Sequence, residues 1–313
     1  MNVMVVCPGL RYYFFNDVKD KNSEVFVLEE PFVSEKNIFF KCTERLSKKL
    51  GFWRLYKKFI NNWKKIVTQC SDVIIFDSAF SISLVKSLMF FNPNISIHVY
   101  LWNPVFLTPN ILKKLKKVNS LIKIYSFDKN DCKRYNFSFS PMIYFFQREY
   151  LNFPLDNNFE YDIVFIGYIK NRGSYLSNLY NLLSEYRLNL FFYVVNNTHT
   201  KEKTPFVLQD KCVDYNSYKN YIQKTKAILD ITQEGQIGLT IRTLESVYYG
   251  KKLITNNFDI KNYDFYNSNN IFVLGVDDIN NLKEFIDTPY VQISWDIVKQ
   301  YNFYDWAIGF KTR

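Results

Sequence analysis

The feature that most constrains the fold of this chain is an alternation that runs through it twice. Short apolar runs, bounded by polar or turn residues, are separated by stretches with helical periodicity. In the first half the runs are Val3–Val6, Val25–Leu28, Val73–Phe76, Ile97–Leu101 and Ile122–Tyr125, with helical stretches near 41–68, 79–90, 109–118 and 129–135. In the second half they are Ile163–Ile166, Leu190–Val195, Ala227–Ile231, Leu253–Thr255 and Ile271–Val273, separated by helical stretches near 173–186, 216–225, 239–249, 279–286 and 293–308. Strand–helix alternation implies parallel sheets covered by helices. Residues 139–158, with Pro141 and Pro154 and no clean periodicity, read as the crossover between the halves. The expectation is an α/β chain of two Rossmann-like domains, 1–150 and 151–313, whose parallel sheets face a cleft, with the final helix able to pack back on the first domain. In such sheets ligands sit at the carboxyl ends of strands, near helix N-termini.

Composition narrows the class. A chain of 313 residues is long enough for two ordinary cores, and with 48% hydrophobic and 19% aromatic residues it is not disordered. Five scattered cysteines (Cys7, Cys42, Cys70, Cys132, Cys212) without a C-x-x-C, and two distant histidines, His98 and His199, argue against a disulfide scaffold or a structural zinc. The first residues read as a strand rather than a signal peptide, and no run of apolar residues is long enough to span a membrane. A cytoplasmic protein, peripheral to the membrane at most, is expected. The net charge is +10, and residues 41–66 carry much of it: Lys41, Arg45, Lys48, Lys49, Arg54, Lys57, Lys58, Lys64 and Lys65 against Glu44 alone. With Trp53, Tyr56, Ile60 and Trp63 able to share one helical side, this segment fits an anionic membrane surface as well as it fits a first-domain helix with lysines in water.

The most informative segment is 227–271. A buried strand ends in a polar loop, Thr232-Gln233-Glu234-Gly235-Gln236-Ile237-Gly238, whose glycines let the backbone approach a ligand. A helix follows with Leu239, Leu244, Val247 and Tyr248 inward. Thr240, Ile241 and Arg242 fall in its first turn, where free N–H groups and the helix dipole favour an anion. Arg242 adds a guanidinium fork suited to phosphate oxygens, and Glu245 could accept from a ribose diol. Gly250 closes the helix. The bland alternative for Arg242 and Glu245 is a surface ion pair at i,i+3.

This pattern, Gly238-Leu239-Thr240-Ile241-Arg242-Thr243-Leu244-Glu245 followed by Lys251-Lys252-Leu253-Ile254-Thr255-Asn256, resembles the C-terminal nucleotide-sugar site of GT-B glycosyltransferases, and among them lipopolysaccharide, capsule and O-antigen biosynthesis transferases. Further echoes are Trp102-Asn103-Pro104, Tyr125-Ser126-Phe127-Asp128 and Phe165-Ile166-Gly167. The resemblance implies a glycosyltransferase that moves a sugar from a nucleotide-sugar to a surface polysaccharide or lipid-linked glycan. It implies donor-binding residues Gly167, Lys170, Arg172, Gln236, Gly238, Leu239, Thr240, Arg242, Thr243 and Glu245. The nucleotide-sugar is then a co-substrate and no cofactor is expected. The spacing departs from retaining enzymes of this type, which often carry two glutamates eight positions apart: eight before Glu245 stands Ile237, so retention or inversion stays open.

Lys170 and Arg172 follow the first strand of the second domain through a glycine turn, where they would face a diphosphate; solvated turn charges are the plainer alternative. An inverting transferase needs a group to take the acceptor proton, and Asp77, Asp128 and His98 end or lie in first-domain strands. Asp128 could equally cap the next helix, and His98 fits a core position better. Arg242 joins Asp77 and Asp128 as a catalytic candidate, stabilising the leaving phosphate. The chain has no D-x-D, so Arg, Lys and helix dipoles rather than a metal are expected to neutralise the diphosphate. A basic nucleic-acid-binding module and a polyol-phosphate transferase are the alternatives. No nucleic-acid motif supports the first, and an activated donor other than a nucleotide-sugar would reveal the second.

Overall fold

The computed structural model describes residues 2–7, 24–29, 46, 63–146, 158–196 and 203–312. They form two compact units: unit 1 comprises Met1–Pro141 with Phe303–Arg313, and unit 2 comprises Met142–Asn302. The expected boundary at 150/151 lies outside the described residues, as do most of the basic segment, His199 and Cys42.

In unit 1, strands β1 (Asn2–Val6), β2 (Val25–Leu28), β3 (Cys70–Phe76), β4 (Ser96–Leu101), β5 (Lys123–Ser126) and β6 (Ser138–Phe139) form one parallel sheet in the order β2-β1-β3-β4-β5-β6. Helices α1 (Lys64–Val67), α2 (Ile82–Phe91), α3 (Asn110–Leu115) and α4 (Lys129–Tyr135) connect them. In unit 2, β7 (Tyr161–Tyr168), β8 (Leu190–Val195), β9 (Leu208–Gln209), β10 (Thr225–Asp230), β11 (Lys252–Thr255) and β12 (Ile271–Val273) form a second parallel sheet in the order β12-β11-β10-β7-β8-β9. Its helices are α5 (Gly173–Glu185), α6 (Tyr215–Gln223), α7 (Ile241–Tyr248), α8 (Leu282–Asp287) and α9 (Trp295–Val298); α10 (Phe303–Ile308) then belongs to unit 1.

These strands read as unbroken apolar runs because both faces of each sheet are covered. Along β7, Ile163 and Phe165 join a core with Leu176, Leu179 and Leu183 of α5, while Val164 and Ile166 join another with Ile222 of α6. The two-residue period of the strand thus feeds two cores. Unit 1 has its own core around Met4, Val73, Ile75, Leu84, Leu88, Ile97 and Val99. There Trp306 of α10 donates to Ser140 Oγ (2.8 Å), and Phe310 packs on His98 and Tyr125.

The strand order places the sites. From β7 the chain runs outward to β8 and β9, then returns to β10 on the other flank of β7. Adjacent strands whose connections leave in opposite directions open a crevice at their carboxyl ends, the usual ligand position in such sheets. In unit 1 the corresponding pair is β1 and β3, so Cys7 and Asp77 stand at that crevice.

Two helical expectations change. Within 63–68 the helix is α1 alone. The expected helix near 293–308 is broken: α9 passes into a 3₁₀ turn, Lys299–Tyr301, and restarts at Phe303. At the break, Asn302 turns its amide inward to Phe146 O (2.6 Å), a side chain–backbone bond that a continuous solvent-facing helix would not make.

Candidate anion-binding site

Unit 2 assembles its polar residues where β7 and β10 end. Beyond β7 the chain turns through Ile169–Arg172, with the Arg172 N–H closing on Ile169 O (3.2 Å) and Lys170 held at φ +47°. A non-glycine residue in the left-handed region is strained, and such strain concentrates at functional sites. Arg172 reaches back to donate to Tyr168 O (3.1 Å) and to Ile231 O, tying the β7 turn to the end of β10.

The other half comes from α7. Thr240 is its N-cap, not part of its first turn, and its hydroxyl accepts from the Thr243 N–H (3.4 Å). Asp230, the last residue of β10, is fully buried. Its carboxylate accepts from Thr240 Oγ1 (2.8 Å), Thr243 Oγ1 (3.1 Å) and Arg242 Nε (3.0 Å). Arg242 also points Nη1 at Ile166 O (3.5 Å), and its side chain keeps 20% of its surface exposed. Burial works against the Arg242 charge, but Asp230, together with Tyr218 and Glu245, offsets it and holds the guanidinium protonated.

Both guanidinium groups lie against the ring of Phe165, Arg172 at 5.2 Å and Arg242 at 5.8 Å from its centroid. Gly167 lies between them: a Cβ there would sit 3.5 Å from a terminal nitrogen of each. With no side chain at Gly167, nothing from that residue comes between the two forks. Burial, then the charge of Arg242, lowers Arg172 to about 10; burial, then Arg172 and Arg242, lowers Lys170. Three cations that repel one another against one carboxylate leave two positive charges in excess, the electrostatics of a site for a multiply charged anion.

The remaining expected residues take other parts. The loop after β10 is fastened by Thr232, whose N–H and hydroxyl both donate to Asn256 Oδ1 (2.8 and 3.0 Å), and by Asn257 Nδ2 donating to Ile237 O (3.1 Å). Gln236 braces Gly238 O (3.4 Å), and Leu239 is a core residue. Glu245 is neither a surface ion-pair partner of Arg242 nor open to a ribose. It is buried against α6, accepts from Tyr218 OH and bonds to Tyr144, whose hydroxyl lies 2.5 Å from Tyr215 OH. Burial, only partly countered by these hydroxyls and by Arg242, raises Glu245 to about 7.

In unit 1, Asp128 is the N-cap of α4: it is buried and accepts from Asn130 N (2.8 Å) and Asp131 N (3.3 Å). That role displaces it as a base, since the carboxylate is turned onto its own helix. His98 is a core residue, Nε2 2.8 Å from Asp72 Oδ1. Asp77, at the carboxyl end of β3, is partly exposed and held by Asn103 N (3.1 Å), Asn103 Nδ2 (3.0 Å) and Ser78 N (2.8 Å). Burial raises its proton affinity against these hydrogen bonds. Sequence inspection missed Asp230; its signal was an acid ending an apolar strand, ten and thirteen residues before two threonines that bracket an arginine.

No protein-family model matches the chain, and no curated protein matches it. Among solved structures it is similar to a lipopolysaccharide outer core galactosyltransferase, WaaB, in its apo form (12% identity, TM-score 0.49, covering 100% of this chain and 98% of that one). It is also similar to an alpha-glucosyltransferase in complex with UDP and a 13-mer DNA (10%, 0.40, 92% and 89%) and to S. aureus MnaA with UDP (12%, 0.42, 92% and 88%).

Proposed function

We propose that the chain is a glycosyltransferase that uses a nucleotide-sugar, with unit 2 holding the donor diphosphate. The observation that carries this is the convergence of Arg172 and Arg242 on Gly167 and Phe165, where β7 and β10 end, with Lys170 near enough for its charge to feel both. A pyrophosphate brings two adjacent anionic groups to two guanidinium forks, each able to pair bidentately. In the reaction an acceptor oxygen bonds to the anomeric carbon while the bond from that carbon to the diphosphate oxygen breaks. The charge that grows on the departing nucleoside diphosphate falls on the three cations, already fixed in place, which supports a reaction without a metal. Asp77 is proposed to take the acceptor proton, its affinity tuned upward by burial. A bacterial surface polysaccharide or lipid-linked glycan as acceptor, and a cytoplasmic or membrane-peripheral location, remain part of this proposal. Among the described residues no helix is long and apolar enough to cross a membrane.

The test is a thermal-shift titration against UDP, GDP, CDP, CMP and ADP. A ligand at a hundredfold excess over its Kd adds about 2.7 kcal/mol to the stability of the folded state. One nucleoside diphosphate should raise the melting temperature, and Lys170→Gly should reduce that shift while leaving the unliganded protein within about 1 kcal/mol of wild type, because glycine relieves the left-handed backbone. If no nucleotide shifts the wild type, the donor-site reading is wrong.

A further inference from the structure

Unit 1 carries a cavity that the proposed transfer does not use. It has a volume of about 640 Å³ and lies where α3 and the β5–β6 edge of the sheet meet. That volume falls within the ~300–1,000 Å³ typical of ligand sites. Its floor is apolar: Leu112, Ile122, Ile124, Tyr135 and Phe137 pack on the unit 1 core with one side and line the cavity with the other. Its cations are Lys113 of α3, Lys116, which caps the C-terminus of that helix, and Lys123, which opens β5; all three are exposed. Among the described residues no carboxylate lines it. The nearest acids in sequence, Asp128 and Asp131, are buried and occupied with the N–H groups of α4 and Val105. Among the described residues neither Lys113 nor Lys116 is ion-paired. Leu121 and Phe139, next in sequence to lining residues, expose 39% and 42% of their surface.

An apolar floor under a lysine rim selects a ligand that is hydrocarbon at one end and anionic at the other. We propose that this cavity binds the phosphate headgroup and adjoining hydrocarbon of an anionic phospholipid at a bilayer surface. The lysines meet the phosphate, the floor takes the upper part of the chain, and Leu121 and Phe139 lie against the interface. Nucleic acid fits less well. Three of the five floor side chains are aliphatic, and the Tyr135 and Phe137 rings stack on each other (5.6 Å between centroids) rather than standing apart as platforms for successive bases. The site is independent of the donor reading and of the basic segment 41–66.

The experiment is co-sedimentation of the full chain with phosphatidylcholine vesicles, with and without phosphatidylglycerol. Binding is expected only to the anionic vesicles. Lys113→Glu with Lys116→Glu should weaken it by about thirtyfold, the loss of two lysine contacts with an anionic surface. Lys203→Glu with Lys211→Glu, an equal charge change on exposed lysines of unit 2, should weaken it far less. Ser138→Trp, which fills the cavity without changing charge, should also weaken it. Melting temperatures confirm that the variants are folded. Equal loss in the two lysine pairs, no effect of Ser138→Trp, absence of vesicle binding, or equally tight, Lys113/Lys116-dependent binding of a single-stranded oligonucleotide would each overturn the proposal.

Discussion

At the scale of single residues, unit 2 is organised by Asp230 rather than by the basic groups it serves. A fully buried carboxylate is tolerable only when its lone pairs are filled, and here two threonines and Arg242 fill them. Asp230→Asn keeps the shape and removes the charge, leaving Arg242 without its counterion. Because Arg242 retains some exposure, the cost is placed at about 2–4 kcal/mol, below the full loss for a sealed ion pair. Urea unfolding at unchanged slope would measure it; a loss under about 0.5 kcal/mol would mean that Asp230 does not hold the site together. Glu245 gives a second prediction. Its proton affinity is raised from 4.5 to about 7, so between those values the folded chain keeps a proton that the unfolded chain releases. Its contribution is therefore present in full below about pH 4.5 and lost as pH rises through 7, by up to about 3 kcal/mol. Glu245→Gln should lack that slope, gaining on wild type between about pH 5 and pH 8 in urea melts. Parallel pH profiles would contradict a buried, proton-holding Glu245.

At the scale of elements, α7 shows what the sequence makes legible and what it hides. Its end was readable from Gly250, which adopts φ +59° while the Lys251 N–H reaches Ser246 O (2.8 Å), the bond of a Schellman cap. Gly250→Ala should cost about 1 kcal/mol in chemical denaturation, with no change in nucleotide affinity; a neutral result would mean that the cap relaxes. Its inner face was readable too, since Leu244, Val247 and Tyr248 are buried. Glu245 and Ser246 are also buried, which periodicity does not reveal, because the hydroxyls of Tyr218 and Tyr144 that make a carboxyl tolerable there come from distant segments. Asp230 is hidden for another reason: periodicity does not show that its partners, Thr240, Arg242 and Thr243, stand at the N-cap and first turn of the following helix. Strands β7, β10 and β11 could be read from their apolar runs. β6 and β9 could not, because two-residue edge strands carry no periodicity. Strand order was the least readable feature, since pairings such as Ile163 with Ala227 join residues far apart in the chain.

At the scale of the whole molecule, a ligand's binding energy is felt by the unit that holds it. The chain enters unit 2 at Met142 and leaves it at Asn302, and that unit has its own sheet and cores. A nucleotide held by Lys170, Arg172 and Arg242 is held by residues of unit 2, so it stabilises the states in which β7, β10 and α7 are closed. Hydrogen exchange reads this residue by residue. At a hundredfold excess over Kd, amides of β7, β10 and α7 that exchange through opening of the unit should slow by about a hundredfold, the rate equivalent of about 2.7 kcal/mol. Amides of β3 and β4, deep in the unit 1 core, serve as the internal reference. Protection confined to unit 2 would tie the nucleotide to the β7–β10 crevice. Saturating nucleotide with unchanged exchange in β7 and β10, or with its largest effect in β3 and β4, would move the donor site out of unit 2 and return Asp77 and its neighbours to first consideration.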